Sequence, residues 1–484
     1  MFESAAELIA LLSNHSCRET KKYCEALLSV MRMRAATHSM SYQIEDCDEE
    51  DLPLRNQLVD SASIVAILTF MKRYDKYKDV NEECCAALSI LIKDEKLLAE
   101  FLKEQGPFIV LKVMRTHEDV SSIIWYASMI IADVSWDSSQ RSRLTRENCI
   151  PLALQNLRKF PSSEVITQYS CVILHNLGKN ANLIPKMLTE GLIPLLLAAV
   201  SAHDSCPEVM AWIFRCLATL AHFSKQARRQ QLSIDADLPA ILHRQLQAQR
   251  SAPDVLAPLC SLWAQLWENA SSTEMEEISL RFVGLGSFQE LWRRMKFYPT
   301  HSWFQTQAFM VCWRGSRCLE VLALLQDAGR DTDMLGWTCR MLREHHANRL
   351  LCTHAAGFIA GWLEHKASFG TDEACASMLL AWKKELLNLS GHKWLLQAVL
   401  EHESYDPLQE TGNQALTNLL TSSPRLGEPL QEAALSLAEE MGLITHQCVV
   451  IFRIAAASNP TSNPTTSLTT NITSTSTSTS GQPS

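Results

Sequence analysis

Along almost the whole chain apolar residues recur at i, i+3, i+4 and i+7, the spacing that aligns one face of an α-helix, and no clear alternating run marks a half-buried strand. From residue 80 three kinds of predicted helix follow one another in a fixed order. The first is long and apolar with a small residue near its middle: VNEECCAALSILIK from Val80, VSSIIWYASMIIADVS from Val120, VITQYSCVILHNLG from Val165, VMAWIFRCLATLAHFS from Val209 and VLAPLCSLWAQLWEN from Val255. A short polar helix comes next, such as SSQRSRLTRE or NANLIPKMLTE. Then comes a helix opened by a turn residue and often by proline: GPFIVLKVM, NCIPLALQNL, GLIPLLLAAV and ADLPAILHRQL. Pro151, Pro194 and Pro239 fall near the first turn of such helices, where the missing N–H matters little because that donor has no intrahelical partner. The valine landmarks lie 40, 45, 44 and 46 residues apart, so the pattern is a repeat.

A period of about 40–47 residues carrying two or three helices marks the armadillo and HEAT class. GLIPLLLAAV followed by EVMAWIFRCLATLAHFS, and NCIPLALQNL followed by EVITQYSCVILHNLG, resemble the second and third helices of armadillo repeats, with the polar segment as the short first helix. The resemblance is best over residues 80–270. Outside that stretch, Ser61–Tyr74 resembles a second helix for the helix at Val80, Met1–Met33 suits a leading helical pair, and Gly391–Ser423 again resembles a second helix followed by a third. The resemblance implies an all-α, armadillo/HEAT-like right-handed α-solenoid, a superhelix whose third helices line a concave groove. One repeat cannot bury its apolar face alone, so neighbours must stack. The chain thus divides into N-terminal helical repeats over 1–79, well-phased armadillo repeats over 80–270, Trp-rich divergent repeats over 271–457, and a Ser/Thr low-complexity tail over 458–484 that is expected to be disordered.

Composition narrows the function. The formal net charge of -9 and pI near 5.9 leave no global basic footprint, which disfavours nucleic acid. MFESAAELIALLSN lacks a positive n-region and reads as a first amphipathic helix, and Cys448–Ala457 is too short to span a bilayer and contains Arg453. A soluble protein of the cytoplasm, with the nucleus as a further location, is expected. The 16 cysteines are scattered through apolar helical patterns with no CxxC pair, as small buried hydrophobes would be. Between two helical segments, IEDCDEEDLP at 44–53 places six acidic residues in the seven positions from Glu45 to Asp51, a solvated loop or a segment for a basic partner.

Catalysis has no visible constellation: GxxxxGK[ST], GxSxG and HExxH are absent, and no cofactor is expected. HHANRLLCTH offers His345, His346, Cys352 and His354 as metal candidates, but a structural zinc site wants a second ligand pair that is not evident, so no metal is expected. Armadillo proteins that hold extended peptides present an asparagine on each third helix with a tryptophan four residues before it, on the same helix face. By that resemblance the groove contacts here are Asp133, Asn176, His222, Gln265 and Asn418. The residues four before them are Met129, Val172, Ala218, Ser261 and Gln414, so the tryptophan is absent and the grip used for basic localisation signals is not implied. The function expected is a non-enzymatic scaffold or adaptor holding a partner protein's segment in the groove. The alternative is a regulatory or nucleotide-exchange subunit wrapping a folded ATPase, GTPase or chaperone.

Overall fold

The computed structural model describes residues 63–232, 238–248, 252–268, 270–317, 334–364, 381–386 and 388–420. The leading helical pair, the acidic stretch 44–53, the apolar stretch up to Ala457 and the tail 458–484 lie outside the described residues. Among those described, every regular element is helical. They fall into two compact units, one ending at Leu238 and the other starting at Pro239.

The first unit runs α1 (Ser63–Arg73), α2 (Lys78–Leu91), α3 (Glu95–Lys103), α4 (Gly106–Thr116), α5 (Ser121–Ser135), α6 (Ser138–Arg146), α7 (Cys149–Lys159) and α8 (Glu164–Gly178). It continues with a 3-10 turn at Ala181–Leu183, α9 (Ile184–Thr189), α10 (Leu192–Ala202), α11 (Pro207–Phe223) and α12 (Lys225–Leu232). Third helices α2, α5, α8 and α11 start at Lys78, Ser121, Glu164 and Pro207, 43 residues apart each time, and pack side by side in that order. Flanked by other helices, they bury apolar residues on most sides: α5 buries Ile123, Ile124, Tyr126, Met129, Ile130, Ile131 and Val134. Full burial of one such side chain stabilises by about 1.5–3 kcal/mol, and only stacked repeats provide it.

Two local devices recur with the same spacing. Each first helix is opened by a side chain that accepts from its exposed N–H groups: Asp94 from Lys96 N at 2.9 Å, Asp137 from Ser139 N at 2.8 Å, and Asn180 from Asn182 N at 3.2 Å. The second helices α4, α7 and α10 are each entered through a left-handed residue: Gln105 (φ 58°), Asn148 (φ 54°) and Gly191 (φ 81°). The first device satisfies donors; the second turns the chain sharply enough to lay the second helix back on the first.

The second unit begins inside α13 (Leu238–Gln247) and contains α14 (Pro253–Trp267), α15 (Ser272–Gly284), α16 (Ser287–Phe297), α17 (Ser302–Gly315), α18 (Met334–Glu344), α19 (Arg349–Glu364), α20 (Gly391–Glu401) and α21 (Asp406–Leu420). Among its described residues α15, α16 and α17 repeat the order of first, second and third helix, α18 with α19 and α20 with α21 pair a second helix with a third, and α14, α17, α19 and α21 form the row of third helices. Their starts at Pro253, Ser302, Arg349 and Asp406 are 49, 47 and 57 residues apart, against 43 in the first unit. At least part of the stretching is a longer first helix, since α15 has 13 residues where α3 and α6 have 9. The left-handed entry survives at Gly286 (φ 71°) and Ser390 (φ 58°).

Tryptophans fill the wider core here. Trp263 and Trp267 meet Phe282 edge-on at 4.4 and 5.2 Å, Trp292 meets Trp337 at 6.3 Å, and Trp362 meets Phe358 and Trp382 at 5.2 and 5.0 Å. Gly357 makes room for another ring: a Cβ there would lie 2.5 Å from the Trp313 indole. Histidines at the ends of second helices tie neighbouring repeats together, each donating through Nε2 to a carbonyl of the previous repeat. His117 reaches Asp75 O at 2.7 Å, His345 reaches Pro299 O at 3.2 Å and His402 reaches His346 O at 2.9 Å.

Candidate functional site

Counting from the start of each third helix, Asp133, Asn176, Gln265 and Asn418 share the thirteenth position. The same count puts Thr219 on α11 and Arg314 on α17 at that level; His222 stands three residues further on, level with Trp136 and Lys179. Two residues of that displacement match the length of α11, which has 17 residues where α5 and α8 have 15.

The candidate residues differ in what they can reach. Asp133 is partly exposed and paired with Lys93 Nζ at 2.8 Å. Asn176 is 0 % exposed: its Nδ2 donates to Ser135 Oγ at 2.9 Å, and its Oδ1 accepts from Lys179 Nζ at 2.9 Å. It is a tie between α5 and α8 and an anchor for Lys179, with no surface of its own to offer a partner. His222 is exposed and meets Phe223 edge-on at 4.5 Å. In the second unit Gln265 is half-buried, while Asn418 donates to Ala360 O at 3.0 Å and accepts from Gln414 at 2.9 Å.

What the structure does assemble is a cluster of rings and cations on the solvent side of α5, α8 and α11. Trp136, the residue that closes α5, is 51 % exposed. Trp212, two repeats along on α11, approaches it edge-on at 6.0 Å, so the two rings meet across α8. From α8, His175 lies 5.9 Å from Trp212, and the Lys179 ammonium sits over Trp136 at 4.6 Å. The Arg215 guanidinium lies over Trp212 at 4.4 Å. His175 Nδ1 is 2.7 Å from Thr219 Oγ1, which itself donates to Arg215 O at 3.0 Å.

Electrostatics in this cluster work mainly against a protonated His175, opposed by its hydrogen bond to the Arg215 carbonyl at 3.3 Å. Burial lowers the His175 imidazole to about 4, and the cations Lys179, Arg215 and Arg141 push in the same direction, so the ring is neutral at ordinary pH. Lys179 is also held below the usual lysine range, first by partial burial and then by Arg141. Sequence reasoning missed Trp136, Trp212, Lys179 and Arg215 because it looked for aromatic residues four positions before the polar one. Trp136 and Lys179 stand three positions after it, in a column shared with His222, whereas Trp212 and Arg215 are the sixth and ninth residues of α11 and lie outside that column.

The former metal candidates serve separate partners. His345 bonds Pro299, His346 Nδ1 pairs with Glu401 at 2.7 Å, His354 Nδ1 bonds Thr306 O at 2.9 Å, and Cys352 Sγ points at the carbonyls of His345 and His346. Among the described residues no group of three or more His, Cys, Asp or Glu is placed to hold a metal ion. Burial pushes the thiols of Cys84, Cys149 and Cys216 up to about 12, as expected of apolar packing residues and not of nucleophiles. Among the described residues no single helix is long and apolar enough to cross a membrane.

A family model described as LRRK2 ARM repeat matches residues 48–236. The chain is also similar to a solved structure from work on a phosphorylation switch that controls the interaction between cadherin and beta-catenin. The TM-score is 0.61 at 14% identity, covering 94% of this chain and 85% of that chain. Two crystal structures of engineered proteins align over 52% of this chain and 96% and 98% of theirs, at 14% and 16% identity; their TM-score of 0.43 adds nothing to the fold assignment. No curated protein matches the chain by sequence.

Proposed function

We propose that this chain, an armadillo-repeat protein, is a non-enzymatic scaffold or adaptor that holds a segment of a partner protein against the solvent side of its third helices. Armadillo repeats are in general a fold for protein interaction. The observation that carries the more specific reading is the cluster of Trp136, Trp212, Lys179 and Arg215: large rings and cations of this kind dominate the energetics of protein interfaces, and one of these rings is half exposed. Binding on this reading needs no conformational chemistry. Helices held by their neighbours present rings already stacked against cations, so little side-chain freedom is lost when a segment lies across them.

Photo-crosslinking tests the reading. A benzophenone amino acid placed at Trp136 or at His222 in the full chain should form adducts with a partner in cell extract, while the same group at Ser142, exposed on the first helix α6, should not. Adducts confined to Ser142 would reject the proposal. Adducts that map over a folded ATPase or GTPase domain and vanish with added nucleotide would favour the regulatory alternative.

A further inference from the structure

The site between α5 and α11 carries more than a general affinity for protein. Three cations converge on it: Lys179 and Arg215 stand over the two rings, and Arg141 of α6 is near enough to act on both Lys179 and His175. Two described carboxylates stand near it: that of Asp133 is turned to Lys93 at 2.8 Å, and that of Asp137, next to Trp136, caps α6 by accepting from Ser139 N at 2.8 Å and Ser139 Oγ at 3.0 Å. Lys179 is tied to the neutral amide oxygen of Asn176, which positions the ammonium without cancelling its charge. The result is three cations gathered around two rings on a chain whose formal net charge is -9. The cations are also preorganised by their rings, so a bound anion recovers Coulomb energy without first ordering long side chains.

We propose that this site takes an acidic peptide segment, with a carboxylate between Lys179 and Arg215 and an apolar or aromatic neighbour against Trp136; the proposal rests on the scaffold reading above. Each part of such a segment has a complement here. A carboxylate relieves the repulsion between Arg141 and Lys179 and pairs bidentately with a guanidinium. An apolar neighbour covers the exposed part of Trp136, which is otherwise left to water. A lysine-rich segment meets repulsion instead. Specificity for acidic over basic segments thus follows from like-charge exclusion as much as from attraction. Duplex or single-stranded nucleic acid is the less suitable anion, because the cations form one compact cluster and not a stripe that could track a backbone.

The test is selection of a random peptide display library on the full chain, repeated on Lys179→Glu and Trp136→Ala variants whose circular dichroism melts match the parent. Recovered peptides should be rich in Asp and Glu beside Leu, Phe or Trp. In fluorescence anisotropy, Lys179→Glu and Trp136→Ala should each weaken the best of them by about tenfold or more, while Lys179→Arg stays within about threefold. Raising salt from about 50 to 300 mM should weaken binding several-fold. Peptides that depend on Trp136 but are neutral or basic would overturn the acidic assignment and leave the scaffold reading standing. An absence of any peptide sensitive to these two variants would overturn both. Oligo-uridine binding at equal affinity, lost in the same variants, would assign the site to nucleic acid. If acidic peptides bind only after the six acidic residues of Glu45–Asp51 are replaced by Asn and Gln, the chain's own acidic stretch is the occupant and the partner in trans is overturned.

Discussion

Asn176 illustrates how one side chain can be read correctly as special and wrongly placed. Its side chain is polar amid an apolar helix, which the sequence displays plainly, but burial is decided by neighbours 41 residues away, which it does not. Asn176→Ala should destabilise the first unit by about 1–2 kcal/mol, the cost of a lost buried amide with its small cavity, measured as a lower urea midpoint. Ser135 survives the change because its hydroxyl already donates to Ala132 O at 2.6 Å. His175 gives a pH signature. Its folded value of about 4 lies below the roughly 6.5 of an unfolded histidine, so the unfolded chain binds more protons between these two values. The stabilisation from keeping it neutral is complete above pH ~6.5 and is lost as pH falls from there towards 4, amounting to about 2 kcal/mol after allowing for its partial exposure. The fall in stability over that window should be shallower in His175→Gln. His354 and His392 are lowered in the same direction, again chiefly by burial, so a residual slope belongs to them.

At the scale of elements, the left-handed entries to the second helices make an uneven set: Gly191 and Gly286 suit the geometry, whereas Gln105, Asn148 and Ser390 carry a Cβ there. Such a residue costs roughly 1 kcal/mol, part of which glycine gives back through its freer unfolded chain. Gln105→Gly should therefore raise stability by about 0.5 kcal/mol, seen as a small rise in Tm. Gly191→Ala should lower it by about 1 kcal/mol even though nothing lies within 4 Å of the added Cβ. These elements also decide how much could be read in advance. Over 80–270 the helical periodicity, the prolines and the spacing made the order of helix kinds legible. Beyond residue 270 the row of third helices continues among the described residues, but the lengthened α15 and wider spacings break the count that reveals it. The cluster was hidden for a different reason: Trp136 closes α5 and Trp212 sits mid-way along α11, so no fixed sequence offset links them, and only stacking brings them together.

At the scale of the whole molecule, stability in stacked repeats is shared between nearest neighbours. Within the first unit, α5 and α8 have third helices on both sides. Amide hydrogen exchange should accordingly be slowest in α5 and α8 and faster in α1, which among the described helices packs mainly on α2, α3 and α4. Uniform protection across the unit would mean that it opens as one block. A related consequence concerns Asn148 and Gly191, two interchangeable joints 43 residues apart. A second copy of residues 149–191 spliced in after Gly191 restarts at an identical joint, so the chain gains a storey without a mismatch. Every residue of the cluster survives that edit, and Lys179 keeps its place over Trp136, yet Trp212 moves one storey away from it. The pairing of the two rings is encoded in how many repeats separate them, and a change in copy number alone switches it off.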